Sequence, residues 1–450
     1  MIFPDKKFLF LNIVLLVILL SHSIYRDIQM ENQYPGDLRN RIVGARLQKD
    51  GKLPYHYHWQ TSDGIRYYNS DEDLWLSPDG LRQDKIPMVS DVNKITASPF
   101  FHELLYPVCD LPQRTLSRIW LWLQYILLVC MIGMISGLTN INREKWLLLN
   151  VGILFTATEA WKNLIAAGQI YLFEAFLMTC ILTALVKNKK FGIILGGVCA
   201  AVFILTRPIG IVIFIPFLFY IKKNTLFLIS AFSGLIIYGI FIFVSPNEKA
   251  LYNDYQSGMK MQVQLHQDAA NGLPPVHIGI DSKFSNIEGF DIAEVHRLSD
   301  MHPVKVFIEN GNIFVIYYKI FHKKLPLSMM IGGLAFIVCI LSILFLLHIR
   351  KYPAQILQIL LFGFTLYMIA ELFNPIYRRQ YNTVQWFPLV LAGLLLLRDW
   401  KNKTFILIIL GLILNIVNFE WLPMRHTLGE FCWLAALLLL VFSTNTKQAA

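Results

Sequence analysis

Charge is scarce in this sequence. Only 16% of the residues are Asp, Glu, Lys or Arg, against 55% hydrophobic and 14% aromatic. A soluble domain carries about a quarter charged residues, so this composition excludes one. Cysteine is scarce as well: of six, Cys130, Cys180, Cys199, Cys339 and Cys432 fall inside apolar runs and Cys109 alone lies in a polar stretch. That distribution excludes a disulfide framework, and no zinc-type spacing occurs. No small-x-small site follows the first apolar run, where Ser21-His22-Ser23-Ile24-Tyr25-Arg26 leads into polar sequence, so the run reads as an uncleaved helix. Internal repeats of the kind that build many transporters are also missing.

What the sequence does have is apolar runs of bilayer length. They read as spans at about 8–25, 117–138, 146–158, 169–186, 191–206, 208–221, 225–244, 328–347, 354–373, 383–397, 404–418 and 429–443. The expected fold is therefore an all-α polytopic integral membrane protein of about 11–12 transmembrane helices, with 146–158 and 208–221 short enough to be re-entrant or broken. A net charge of +10 suggests nucleic acid in a soluble chain; here the placement of the basic residues matters more. Short loops on one side hold Lys6, Lys7, Arg143, Lys145, Lys187, Lys189, Lys190, Arg350, Lys351 and others, while those on the other side hold Lys162, Arg207, Arg378, Arg379 and Arg425. This bias predicts cytoplasmic termini and no nucleic-acid partner. The chain then divides into a first span (1–25), an extracytoplasmic loop (26–116), spans two to seven (117–244), a second extracytoplasmic loop (245–327) and C-terminal spans (328–450).

The stretch Gly36–Tyr55 organises the rest. Leu38, Ile42, Ala45 and Leu47 predict a short helix at the membrane surface ending near Gly51, and its first turn carries the acid Asp37. A carboxylate held just outside the bilayer can act as general base on a lipid-linked substrate. Downstream, the aromatics of Tyr55-His56-Tyr57-His58-Trp59 either anchor the loop at the headgroups or stack on sugar rings. His56 and His58 alternate, but no third ligand accompanies them, and Asp71-Glu72-Asp73 reads as a solvated run, so no metal site is expected. Pro99 can open a short helix with His102 and Glu103 either touching substrate or forming its wet face.

Three later stretches add candidates. Gly168 allows close backbone approach, so that Gln169 can present a donor and an acceptor inward. Arg207-Pro208 interrupts an apolar run; an arginine there is expected to have a partner, either a phosphate, which suits its fork, or the lipid headgroups to which it can snorkel. The late turn Asn374-Pro375-Ile376-Tyr377-Arg378-Arg379-Gln380-Tyr381-Asn382 concentrates hydrogen-bonding groups. Arg378 and Arg379 can clamp phosphate there, and Gln380 and Tyr381 can read hydroxyls. The region 245–327, with Pro274-Pro275 and an amphipathic end, is assigned no task beyond covering a site or binding an acceptor.

In this order, Asp37-Leu38, Gly51, Tyr55, Ser98-Pro99, Pro107, Gly168-Gln169, Arg207-Pro208 and Asn374-Pro375 resemble the GT-C superfamily, in particular glycosyltransferase family 87. The likeness covers spans one to about ten. It implies a GT-C-like bundle that moves a sugar from a polyprenyl-phosphate donor to a hydroxyl of a glycan or glycolipid acceptor, with inversion, on the extracytoplasmic face of the cell membrane. Asp37 takes the family's first-loop base position, with Asp27 as fallback, and Arg207 stands where the family usually has lysine. The late turn departs from the family's Ser-Pro and histidine pair. Because the leaving group is a monophosphate, a divalent metal is not required. The alternatives are a lipid-linked glycan ligase or polymerase, and a flippase of lipid-linked sugar.

Overall fold

The computed structural model describes residues 6–31, 35–57, 66–67, 95–219, 221–269, 311–323, 325–376, 378–397, 403–417, 419, 421–422 and 424–444, and among them there is no strand. His58, Asp71-Glu72-Asp73 and Pro274-Pro275 lie outside the described residues. The chain begins with α1 (Lys6–Glu31), α2 (Gly36–Lys49) and α3 (Pro99–Leu105). It continues through α4 (Gln113–Ser136), α5 (Asn142–Leu154), α6 (Glu159–Ala167), α7 (Tyr171–Lys187) and α8 (Lys190–Thr206). A 3-10 segment, Pro208–Phe219, leads to α9 (Ile221–Val244) and α10 (Pro246–Ala269). The last part comprises α11 (Ile313–Phe321), α12 (Leu327–Lys351), α13 (Ile356–Leu372), a second 3-10 segment (Gln380–Trp386), α14 (Phe387–Leu396), α15 (Lys403–Ile416) and α16 (Arg425–Val441).

This is an all-α polytopic membrane architecture, though its spans differ in length from the even set read off the sequence. Among the described residues, four helical stretches are long and apolar enough to cross a membrane alone: Leu9–Met30, Arg114–Ser136, Asn224–Val244 and Leu327–Lys351. The bent pair α6–α7 makes a fifth if it counts as one span. α8 and α13 are apolar but have 17 residues each, a rise of roughly 25 Å against a hydrocarbon core of about 30 Å. Two of the sequence-read spans, 208–221 and 383–397, are built partly or wholly of 3-10 helix. Proline explains the first of these: Pro208 cannot donate back into α8, and Pro216 interrupts the segment again.

One large core joins α4 to α8 with α13, α14 and α16, and it buries Trp161, Trp386, Trp433, Phe155 and Phe203 completely. A second cluster packs Leu38, Ile42 and Ala45 of α2 against Phe101 and Leu105 of α3 and against Ile170. On the other flank of α2, Val43 and Leu47 meet Tyr55, Ile95 and Leu251. Both flanks of α2 are thus covered by protein. Gly51, at φ 73°, turns the chain out of α2 in the left-handed region that disfavours other residues.

The sharpest bend positions the site. Thr158 caps α6 by accepting from Trp161 N–H (3.1 Å), and Gly168 ends it at φ 68°. Between α6 and α7 the chain turns by 116°. A side chain at 168 would put its Cβ 2.5 Å from Leu38 Cβ, so this glycine lets the bend close on α2.

Candidate functional site

Asp37 lies in the first turn of α2 and is half-buried. Its Oδ2 accepts from Gln169 Nε2, and Gln169 Oε1 in turn accepts from Arg41 Nη2. Arg41 Nη1 also donates to Gly168 O (3.3 Å). The buried amide of Gln169 therefore sits between an acid and a base that share one face of α2 at i and i+4. Asp37 Oδ1 accepts no hydrogen bond among the described residues.

Two residues further along, Tyr171 opens α7. Its ring lies 5.6 Å from the guanidinium carbon of Arg207 and stacks on Tyr381 at 5.4 Å and 18°. Arg207 ends α8, where Pro208 forces the chain out of the helix. The partner required by an arginine at this depth is Glu371, the penultimate residue of α13. Arg207 Nε and Nη2 donate to its two oxygens at 3.0 and 2.6 Å. Glu371 is completely buried while the Arg207 side chain keeps 24% exposure. Arg207 Nη1 has no hydrogen bond among the described residues, so one N–H pair of the fork remains open. Asp37, Gln169, Tyr171, Arg207 and Tyr381 thus form one continuous wall.

The late turn is fixed by Asn312, which precedes α11. Its Nδ2 donates to Asn374 O and Ile376 O (2.6 and 2.7 Å), and its Oδ1 accepts from Arg378 N–H (2.6 Å). Arg378 is buried and places Nη1 and Nη2 on the two oxygens of Glu430 of α16, which also accepts from Thr383 Oγ1 (2.6 Å). Both arms of this fork face an internal carboxylate. Arg379 is exposed, and with Arg378, Gln380, Thr383, His426 and Glu430 it lines a small cavity. Gln380 Oε1 accepts from Asn163 Nδ2 of α6, which ties the late turn to the bend beside Gln169.

Other candidates lie apart from this wall. His102 is fully buried beneath α2, with Nδ1 3.3 Å from Gln48 Oε1 and 3.5 Å from the Tyr55 hydroxyl. Its Nε2 is buried without a hydrogen bond. Burial, aided by the Arg41 charge, lowers its pKa to about 3. Glu103 points the other way and accepts from the Tyr238 hydroxyl of α9 (2.7 Å); burial pushes its carboxyl up. The fallback acid, Asp27, has both oxygens occupied: Oδ1 by Arg26 (2.8 and 2.6 Å), Oδ2 by Tyr125 (2.6 Å) and Trp161 (2.7 Å).

His102 gives a pH prediction. The unfolded chain takes a proton near pH 6.5 and the folded chain only near 3. Stability is therefore full above about pH 6.5 and falls with acidification between the two values, by up to about 1.4 kcal/mol per pH unit. Thermal unfolding followed across this window should show an acid limb that flattens in His102→Gln.

Residues 96–272 match the model of glycosyltransferase family 87. The matched stretch runs from α3 to the end of α10, less than half of the chain. It includes His102, Glu103, Gln169, Tyr171 and Arg207, while Asp37, Glu371 and the late turn lie outside it. No curated protein and no solved structure matches.

Proposed function

We propose, for a chain that is family 87-like and by that match a glycosyltransferase, that the sugar comes from a polyprenyl-phosphate donor and passes to an acceptor hydroxyl with inversion. Asp37 takes the proton of the attacking hydroxyl as the new C–O bond forms. Gln169 and Arg41 orient that carboxylate, leaving Oδ1 for the acceptor. On the opposite face of the anomeric carbon the phosphate leaves with growing negative charge. The open N–H pair of Arg207 is aimed by Glu371 to stabilise that charge more in the transition state than before. Tyr171 and Tyr381 offer a ring stack for the sugar between base and leaving group.

The observation that carries this reading is the linkage of Asp37, through Gln169 and Tyr171, to an arginine with a free donor pair. Sidedness has its own support. In α7, α8 and α13 the site residues Gln169, Tyr171, Arg207 and Glu371 cluster at one end. Lys187, Lys189 and Lys190 lie at the other end of α7 and α8, and Arg350 and Lys351 end α12 just before α13 begins. The basic ends are cytoplasmic by the loop-charge rule, so the site faces the extracytoplasmic side. Arg379, exposed beside the small cavity, is the second cation able to meet a phosphate. Arg378 shapes the turn through Glu430.

The test is a transfer assay with purified protein in detergent or liposomes, given either a polyprenyl-phosphate hexose or the matching nucleotide sugar. A glycosidic product from the lipid donor, of inverted anomeric configuration, is expected. Transfer from the nucleotide sugar alone, or lipid-linked sugar crossing the bilayer without a new glycosidic bond, would sink the proposal.

A further inference from the structure

Glu174, one turn into α7, has no part in the chemistry above. It is completely buried, and Gln385 of the second 3-10 segment, equally buried, faces it. Gln385 Nε2 donates to Glu174 Oε2 and lies 2.7 Å from the Tyr367 hydroxyl. The two remaining oxygens, Glu174 Oε1 and Gln385 Oε1, are both buried without a hydrogen bond. Two orphaned acceptors on paired groups carry the desolvation cost of each, and the cost is larger if one bears charge.

The surrounding charges do not balance an ionised Glu174. Arg207 and Glu371 face it from the ends of α8 and α13, Tyr367 from α13, Tyr171 from α7 itself and Arg41 from α2. Arg207 is matched by Glu371, and Arg41 is held by Gln169 and Gly168 beside Asp37. Neither cation donates to Glu174. A single proton on Glu174 removes the unmatched charge and supplies the donor that Gln385 Oε1 lacks, and an acid–amide pair with both bonds made is a closed ring.

We infer that Glu174 is a protonated positioning residue, joined to Gln385 in a carboxylic acid–amide ring that holds Tyr171 against Tyr381. The spacing gives the mechanism. Tyr171 precedes Glu174 by three residues and Tyr381 precedes Gln385 by four, so the ring and the tyrosine stack are successive rungs between the same two segments. What the wall is for rests on the proposed transfer reaction; the protonation does not.

Infrared spectra of the purified protein at neutral pH test it without reference to activity. The native protein should show the carbonyl band of a protonated carboxylic acid, lost in Glu174→Gln. In Gln385→Leu the band should move to higher frequency as the acid loses its partner, a reading that serves even if the first variant folds poorly. A native spectrum with no acid band that is lost in Glu174→Gln or moved in Gln385→Leu overturns the inference. Where sugar transfer is measurable, Glu174→Leu should lower it at least tenfold. Glu174→Gln keeps a donor and an acceptor, and should recover most of that loss. Equal loss in both variants would rule out the ring as the positioning device.

Discussion

Asp37→Asn is expected to lower kcat by about 10²–10⁴-fold, the range associated with a positioned general base. Its KM should stay close to native. The substitution is a sharp probe because it changes little else. The asparagine carbonyl can still accept from Gln169 Nε2, and Arg41 keeps its contacts to Gln169 and Gly168. What disappears is the basicity of Oδ1 and the charge that Gln169 Nε2 meets on Oδ2. Thermal unfolding of the variant should therefore lie near that of the native protein while transfer collapses. Near-normal turnover would remove Asp37 from the mechanism. Asp27 could not simply replace it, because its four short hydrogen bonds from Arg26, Tyr125 and Trp161 leave neither oxygen free.

Much of this site is legible in the amino-acid sequence, and the parts that are not share one property. α2 is legible because its apolar spacing and Gly51 are local signals. Gly168 is legible for the same reason: a glycine between two apolar runs points to a close approach, and Leu38 makes it. Arg41 carries a usable signal in its i+4 position after Asp37. Partners far apart in sequence carry none. Arg207 and Glu371 are separated by 164 residues, and Glu174 and Gln385 by 211. The apolar run around Arg207 demands an anionic partner, and a substrate phosphate meets that demand as well as a distant carboxylate does. A second rule narrows the choice, since a buried acid at the end of an apolar helix needs a cation. Arg378 departs from its sequence expectation for a related reason: a loop position implies exposure, whereas Asn312 and Glu430 pull the side chain inside.

The Arg207–Glu371 pair allows structure and catalysis to be separated, and this gives the second large effect. Arg207→Gln leaves Glu371 as an uncompensated buried charge, a loss that typically costs about 3–5 kcal/mol. It also removes the donor pair offered to the departing phosphate, worth about 10²–10³-fold in kcat by analogy with a deleted transition-state donor. Both readouts should fall, which by itself would not distinguish a structural from a catalytic arginine. Adding Glu371→Gln resolves the ambiguity. Two neutral amides can hydrogen-bond to each other, so the double variant should recover much of the lost stability. Activity should not return with it, because no cation then faces the leaving group. Glu371→Gln alone should keep the cation but lose its two-point orientation, giving an intermediate kcat. These four proteins, compared in thermal unfolding and in single-turnover transfer, form a complete cycle. Recovery of transfer together with stability in the double variant would make Arg207 a purely structural residue and move the phosphate site to Arg379.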